Sequence, residues 1–204
     1  MRSTCIIEVC SKPLVIRSRN VKPLKIFVVR HGQTNYNLQN LCNNDPSIDV
    51  FLTEDGVKQA EGVAEELKDK QFEAIFISNL RRTKQTAEII NRHHKALIIE
   101  DLRIGDRKTG FESKPAEVFY DAVKAAPDGL NAKFNGGESF SEEKARVFAF
   151  IDELANGGYT SVLIVTHAEI MKLIFGYFYG LKDEDMWEMN DFKNTEVITL
   201  TAGA

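Results

Sequence analysis

The sequence predicts an α/β protein, a three-layer sandwich with a mostly parallel central sheet, helices on both faces and a lid-like insertion. From Lys25 onward, short apolar runs alternate with longer segments of helical periodicity, which is the pattern of βαβ units. Residues 103–137 interrupt this alternation, because they lack a strong strand signal and are rich in glycine and proline. Such a long excursion in an α/β protein is typical of a lid or a substrate loop.

Short apolar runs predict four to five strands in this sheet. The predicted strands are residues 26–29, 74–77, 97–99, 162–165 and 197–200. The run 197–200 is less apolar than the other four.

Segments of helical periodicity separate these runs. The first helix begins near Thr53, where Val57, Ala60, Ala64 and Leu67 recur at spacings of three and four residues. Further helices are predicted over about 82–93, from Pro115, over about 139–155 and over 168–179. Their number and spacing favour helices on both faces of the sheet.

The chain length favours one domain, with a basic segment in front of it. The 204 residues are 43% hydrophobic, which suits one globular domain over residues 24–204 with the insertion at about 103–137. Residues 1–23 form an N-terminal extension whose apolar runs at 6–9 and 14–16 predict short strands. A targeting peptide is the alternative, because the extension contains five basic residues and one acidic residue.

Composition argues against several classes of partner. A net charge of −4 offers no electrostatic footprint for nucleic acid. The most apolar long stretch contains His167, Glu169 and Lys172, so no membrane partner is expected. Three cysteines without a CxxC pair favour a reducing, cytoplasmic location. The oligomeric state is left open.

Polar residues follow several of the predicted strands. Arg30 and His31 follow the first strand, Arg82 lies beyond the second, Asp106 follows the third, and His167 follows the fourth. Ligands of open parallel sheets bind at the carboxyl ends of the strands, so these side chains are expected to share one rim. Two arginines and two histidines there suit a phosphoryl group, because guanidinium groups match phosphate oxygens and imidazole can attack phosphorus.

Several ordered motifs resemble the histidine phosphatase superfamily, which includes the phosphoglycerate mutases and the fructose-2,6-bisphosphatases. The resemblance covers about residues 25–201. Its motifs are Arg30-His31-Gly32-Gln33-Thr34 with Asn37, Leu52-Thr53 with Gly56 and Gln59-Ala60, Ser78 with Leu80, Arg82-Thr83 and Thr86-Ala87, Gly137-Glu138-Ser139 with Arg146, Thr166-His167, and Asn194.

The resemblance implies hydrolysis of a small phosphorylated metabolite through a phosphohistidine on His31. Arg30, Asn37, Arg82 and His167 would hold the phosphate oxygens and stabilise their charge in the transition state. No cofactor or metal is implied, and the catalytic set would be His31, Asp106 and His167.

One position departs from the family pattern. The family usually has a glutamate four residues before a glycine after the third strand, and this chain has Asp106 four residues before Gly110. We predict that Asp106 protonates the leaving alcohol and later activates water, with Glu112 and Glu169 as the alternatives. Arg107 and the nearby lysines Lys108 and Lys114 either recognise a second anionic group or are solvated.

Two other functions remain open from the sequence. A cofactor-dependent phosphoglycerate mutase is disfavoured by the short insertion and by the lack of an extended tail after the last strand. A non-catalytic phosphate-binding regulatory module is favoured only by the aspartate at position 106.

Overall fold

In the computed structural model, which describes residues 23–203, five strands form one sheet. The strand order is β3-β2-β4-β1-β5; β1 to β4 are parallel, and β5 pairs antiparallel with β1. The bounds are β1 Leu24–Arg30, β2 Ala74–Ile77, β3 Leu97–Glu100, β4 Ser161–Thr166 and β5 Val197–Ala202. All five predicted strands are therefore present; β2 has the predicted bounds, and the other four are longer by one to three residues.

Six α-helices cover the sheet within the described residues. They are α1 Glu54–Leu67, α2 Arg81–Ile90, α3 Ala116–Ala125, α4 Phe140–Asn156, α5 Ala168–Tyr179 and α6 Asp183–Glu188. Side-chain caps fix two of the starts. Thr53 Oγ1 accepts a hydrogen bond from the N–H of Gly56, and Ser139 forms a capping box with Glu142.

Buried side chains of β1 and β4 alternate between two cores. Ile26 and Ile164 face the core that α4 and α5 close, whereas Phe27 and Leu163 face the core closed by α1 and α2. Each fully buried side chain of this size contributes about 1.5–3 kcal/mol to folding. The predicted three-layer sandwich with a mostly parallel sheet is confirmed.

Two helix predictions differ from the structure. The second helix was expected to run to His93, but its α-helical part ends at Ile90 and a 3₁₀ turn continues over Asn91–His93. The short helix α6 was not predicted, because its six acid-rich residues show no clear apolar periodicity. It is fixed by Met186, which is buried against Gly176 of α5.

The predicted insertion contains no strand among its described residues. It consists of α3, two 3₁₀ turns and loops, and it begins at the turn Leu102–Ile104. The extension predicted over residues 1–23, including its short strands, lies outside the described residues except for Pro23. Within residues 23–203, no helix is long and apolar enough to span a bilayer.

Candidate active site

The carboxyl ends of β1 and β4 place two histidines side by side. Arg30 lies opposite Thr166 in the parallel register, so the next residue of each strand leaves the sheet at the same level. These residues are His31 and His167, whose ring centroids are 5.2 Å apart. Both side chains are buried, at 3% and 1% exposure.

The ring of His31 is oriented by its own backbone. Its Nδ1 lies 2.8 Å from the carbonyl oxygen of Gly32, and an N–H at that atom is the only donor that the contact allows. The proton is therefore on Nδ1, and the lone pair of Nε2 accepts a hydrogen bond from Arg82 Nε at 3.2 Å. Burial, followed by the charge of Arg82, holds the pKa of His31 well below its ordinary value.

Two glycines let the loop of His31 pack closely against α1. A Cβ at Gly32 would lie 2.5 Å from the carbonyl oxygen of Gly56, and a Cβ at Gly56 would lie 2.0 Å from the carbonyl oxygen of Gln33. Neither position has room for a side chain. The loop is also hydrogen-bonded on its other sides, since the N–H of Gly32 donates to Thr86 Oγ1 and Asn194 Nδ2 donates to the carbonyl oxygen of His31.

Arg82, in the first turn of α2, connects the nucleophile candidate to the rest of the site. Its Nε lies 3.2 Å from His31 Nε2, and its Nη2 lies 2.8 Å from Asp106 Oδ2. The Nη1 and Nη2 groups also donate to the side chain and the carbonyl oxygen of Asn43. These contacts fix the orientation of the guanidinium, and Arg82 is only 4% exposed.

Asp106 is brought into the site by contacts to the chain that precedes it. Arg146 donates to the carbonyl oxygens of Arg103 and Gly105 at 2.7 and 2.9 Å, and Thr166 Oγ1 donates to that of Ile104 at 2.8 Å. These contacts anchor the turn directly before Asp106. Its Oδ2 then lies 3.6 Å from His167 Nδ1.

The two ring nitrogens of His167 differ in their hydrogen bonding. Its Nε2 lies 2.9 Å from Ser78 Oγ, at the end of β2, whereas its buried Nδ1 has no hydrogen-bond partner among the described residues. Burial, with Arg82 and Arg30 as further causes, lowers the pKa of His167 well below its ordinary value.

Arg30 and Asn37 complete the predicted set. Arg30 Nη1 donates to the carbonyl oxygen of Phe192 at 2.6 Å, and its buried Nε has no partner in the described structure. Asn37 Oδ1 accepts from the N–H of Thr34 and from Asn194 Nδ2. The oxygen of the Asn37 amide is therefore occupied, and its Nδ2 is the group that can donate to a ligand.

A cavity of about 140 Å³ is lined by all six residues predicted for the site. The structure brings together Arg30, His31, Asn37, Arg82, Asp106 and His167. No group of three or more His, Cys, Asp or Glu residues among residues 23–203 has the arrangement of a metal site.

The two alternative carboxylates occupy different places. Glu112 accepts hydrogen bonds from Asn43 Nδ2 and from the N–H groups of Asn44 and Asp45, so it braces the loop beside Arg82. It does not line the cavity, whereas Glu169 does. Glu169 Oε1 lies 3.4 Å from Arg107 Nη1.

Sequence reasoning missed Asn43 and misjudged Arg107. Asn43 gave no signal, because the run Asn43-Asn44-Asp45 is typical of a turn. The solvated alternative for Arg107 is wrong, since its side chain is 1% exposed. It lies over the rings of Phe119 and Trp187, at 5.1 and 5.4 Å from their centroids.

Comparison with known proteins places this site in a family. The model of the histidine phosphatase superfamily (branch 1) matches residues 26–204. The chain is 28% identical to the probable fructose-2,6-bisphosphatase TIGAR A of Danio rerio, over 76% of this chain and 75% of that protein. It is 37% identical to the fructose-2,6-bisphosphatase TIGAR of Xenopus tropicalis over 63% of this chain, and there it spans about half of the relative, 49%.

A solved structure has the same fold. YhfR of Bacillus stearothermophilus superposes with a TM-score of 0.76 at 25% identity, covering 86% of this chain and 90% of the other. The resemblance found in the sequence is thereby confirmed. The chain belongs to the histidine phosphatase superfamily, branch 1.

Proposed function

We propose that this protein hydrolyses small phosphate monoesters with His31 as the nucleophile, Arg30, Asn37, Arg82 and His167 as the phosphate ligands and Asp106 as the general acid. The observation that carries the proposal is the state of His31. A buried imidazole with its proton on Nδ1 presents Nε2 to the cavity as a neutral nucleophile.

The phosphate is bound by donors that surround Nε2. Arg82 Nε already lies 3.2 Å from that atom, so a phosphorus placed for attack has a guanidinium beside its equatorial oxygens. When Ser78 Oγ donates to Nε2 of His167, the proton of that ring is on Nδ1 and is available to the phosphate. Arg30 Nε and Asn37 Nδ2 supply further donors.

These donors stabilise the charge that develops on the equatorial oxygens as the ester bond breaks. Because Arg82 and His167 are buried and hydrogen-bonded before the substrate arrives, little reorganisation of these two donors is needed during the reaction. Phosphoryl transfer to His31 therefore needs no group beyond those of the chain.

In this proposal, Asp106 transfers protons to and from the oxygens of the reaction. In the first step it protonates the leaving alcohol, and in the second it takes a proton from the water that attacks the phosphohistidine. Its bond to Arg82 keeps the carboxyl group oriented in the cavity. The side chain of Asp106 is shorter than that of the glutamate in the family pattern. Arg146 and Thr166 hold the turn that precedes Asp106 and thereby fix its position in the cavity.

The relatives suggest a sugar phosphate as one class of substrate, since two of them are named as fructose-2,6-bisphosphatases. For this chain we propose only the broader substrate class, small phosphorylated metabolites.

An aryl phosphate assay tests the proposed function. The purified protein is expected to release phosphate from p-nitrophenyl phosphate, and His31→Ala is expected to lose about 10⁴-fold or more of that rate. A suitable control is His93→Ala, which removes an exposed histidine that does not line the cavity. Unchanged turnover in His31→Ala would contradict the proposal. Phosphoglycerate interconversion primed by a bisphosphate would establish a mutase instead.

A further inference from the structure

The part of the cavity wall beyond the phosphate ligands differs in charge from the part that would hold the phosphate. Its members include Tyr36, Asn40, Cys42, Tyr120, Glu169 and Asp191. We call these six residues the leaving-group wall, because they line the part of the cavity that the phosphate ligands leave for the alcohol of an ester. They comprise two carboxylates, an amide, a thiol and two phenols, and none of them is cationic.

The cations near this wall are already paired. Arg107 lines the cavity, but its guanidinium lies 3.4 Å from Glu169 Oε1 and 3.9 Å from Glu143 Oε2. Lys172 Nζ lies 2.5 Å from Asp191 Oδ1. Among the described residues that line the cavity, the remaining cations are Arg30 and Arg82, which belong to the phosphate end.

Two side chains of the wall report its negative potential. Burial raises the pKa of Tyr120, and the next causes are the charges of Glu169 and Asp191. Burial also raises the pKa of the Cys42 thiol, and its surrounding charges, Asp106, Glu112 and Glu169, act in the same direction. Carboxylates therefore outweigh cations at both positions.

We propose that the leaving-group wall selects monophosphates whose alcohol is neutral or cationic and carries hydroxyl or ammonium donors, and that it rejects alcohols bearing a second anionic group. This inference rests on the proposed function and names its substrate class. Glu169 is the specificity-determining residue, because its carboxylate lines the cavity and neutralises Arg107 there.

A second phosphate or a carboxylate on the substrate would meet this wall without a free cation. Like charges placed together across an interface are unfavourable. A hydroxyl or ammonium group, in contrast, can donate to Glu169, Asp191 or the oxygen of Asn40.

A matched series of two-carbon phosphates tests the inference. In 2-phosphoglycolate, 2-hydroxyethyl phosphate and phosphoethanolamine the terminal group is anionic, neutral and cationic, and the reacting ester is the same. We measure kcat/KM for each, together with its inhibition constant against p-nitrophenyl phosphate. For the neutral and cationic compounds, kcat/KM is expected to be about tenfold or more higher than for phosphoglycolate, and the inhibition constant about tenfold or more lower.

The variant Glu169→Gln assigns the selection to its residue. The preference for 2-hydroxyethyl phosphate over phosphoglycolate is expected to narrow by about tenfold, mainly through KM, because one charge is removed and Arg107 loses a partner. Glu66→Gln makes the same change of net charge at an exposed site on α1 and is expected to leave the preference unaltered. If Glu169 had a purely structural role, the variant would lower kcat/KM equally for all three substrates.

The outcomes separate the inference from the function on which it rests. Equal use of the three compounds, or a preference for phosphoglycolate, would overturn the inference while turnover of p-nitrophenyl phosphate upheld the proposed function. An unaltered preference in Glu169→Gln would overturn the role of that residue. Absence of His31-dependent turnover of p-nitrophenyl phosphate would instead refute the proposed function.

Discussion

The Nε atom of Arg82 lies 3.2 Å from the Nε2 atom of His31, and both side chains are buried. This contact places a permanent positive charge against the nitrogen that would attack phosphorus. It disfavours protonation of the imidazole, and the same guanidinium, which Asn43 and Asp106 hold, lies beside the oxygens of a phosphate placed for attack. Arg82, one of the groups proposed to bind the phosphate, thus helps to keep the imidazole of His31 neutral.

The lowered pKa of His31 predicts a specific pH response. Because its folded-state value lies below the ordinary 6.5, the imidazole remains unprotonated as the pH falls through that value. Protonation follows only when the pH falls through the lower, folded-state pKa. Nitrogen NMR of the histidine rings between pH 7 and 5.5 is expected to show His31 as the neutral Nδ1-protonated tautomer. A midpoint near 6.5 for this ring would show that the account of its environment is wrong.

Replacement of Asp106 tests the general acid. Asp106→Asn is expected to slow hydrolysis of an alkyl phosphate by about 10²–10⁴-fold, and that of p-nitrophenyl phosphate much less, because an activated leaving group needs no proton. Steady-state rates with the two esters measure this difference.

Glu112→Gln provides the matched control, since that carboxylate braces the loop of Asn43 and does not line the cavity. Any loss of rate in this variant is expected to be the same for both esters. Equal slowing of both esters in Asp106→Asn would assign the acid to another group.

The close approach of Gly56 to the loop of His31 predicts different outcomes for two glycine substitutions in α1. Gly56→Ala places a Cβ 2.0 Å from the carbonyl oxygen of Gln33, so we expect a loss of about 1–3 kcal/mol in the free energy of unfolding and a fall in kcat/KM. Gly62→Ala meets no atom within 4 Å and is expected to gain about 0.5–1 kcal/mol. Urea denaturation and the aryl phosphate assay measure both effects. Full activity in Gly56→Ala would show that the loop tolerates displacement.

The buried position of Arg107 predicts a large effect on stability. Its removal leaves Glu143, whose side chain is 0% exposed, without one of its cations and empties a site between aromatic rings. Arg107→Ala is expected to lower the free energy of unfolding by about 3–5 kcal/mol. The exposed neighbour Lys108, changed to alanine, is expected to alter it by less than about 0.5 kcal/mol. Similar small effects for both variants would contradict the role of Arg107 in the core.

The fold could be predicted from the sequence because its signals are local. The apolar runs of β1 and β4 and the periodicity of α1 each specify an element without reference to the rest of the chain. The short helix α6 could not be predicted, because it is fixed by the packing of Met186 on Gly176 rather than by its own pattern. The antiparallel direction of β5 likewise depends on the path of the chain around the sheet.

The candidate site could be predicted where residues follow strands directly. Residues His31 and His167 share a rim because parallel strands end together. The partners of Arg107 could not be predicted, because Glu143 and Glu169 are distant in sequence and meet it only through the packing of α4 and α5 on the insertion. A basic run after a strand looks solvated until its neighbours are known.

A covalent trap identifies the nucleophile directly. Wild-type protein is mixed with p-nitrophenyl phosphate, quenched in alkali within the first turnovers and digested, and the phosphorylated peptide is sequenced by mass spectrometry. We predict one phosphoryl group on His31, formed at a rate at least equal to turnover and enriched in Asp106→Asn when its hydrolysis is slowed. A phosphoryl group on another residue, or turnover with no phosphorylated peptide at any time, would contradict His31 as the nucleophile.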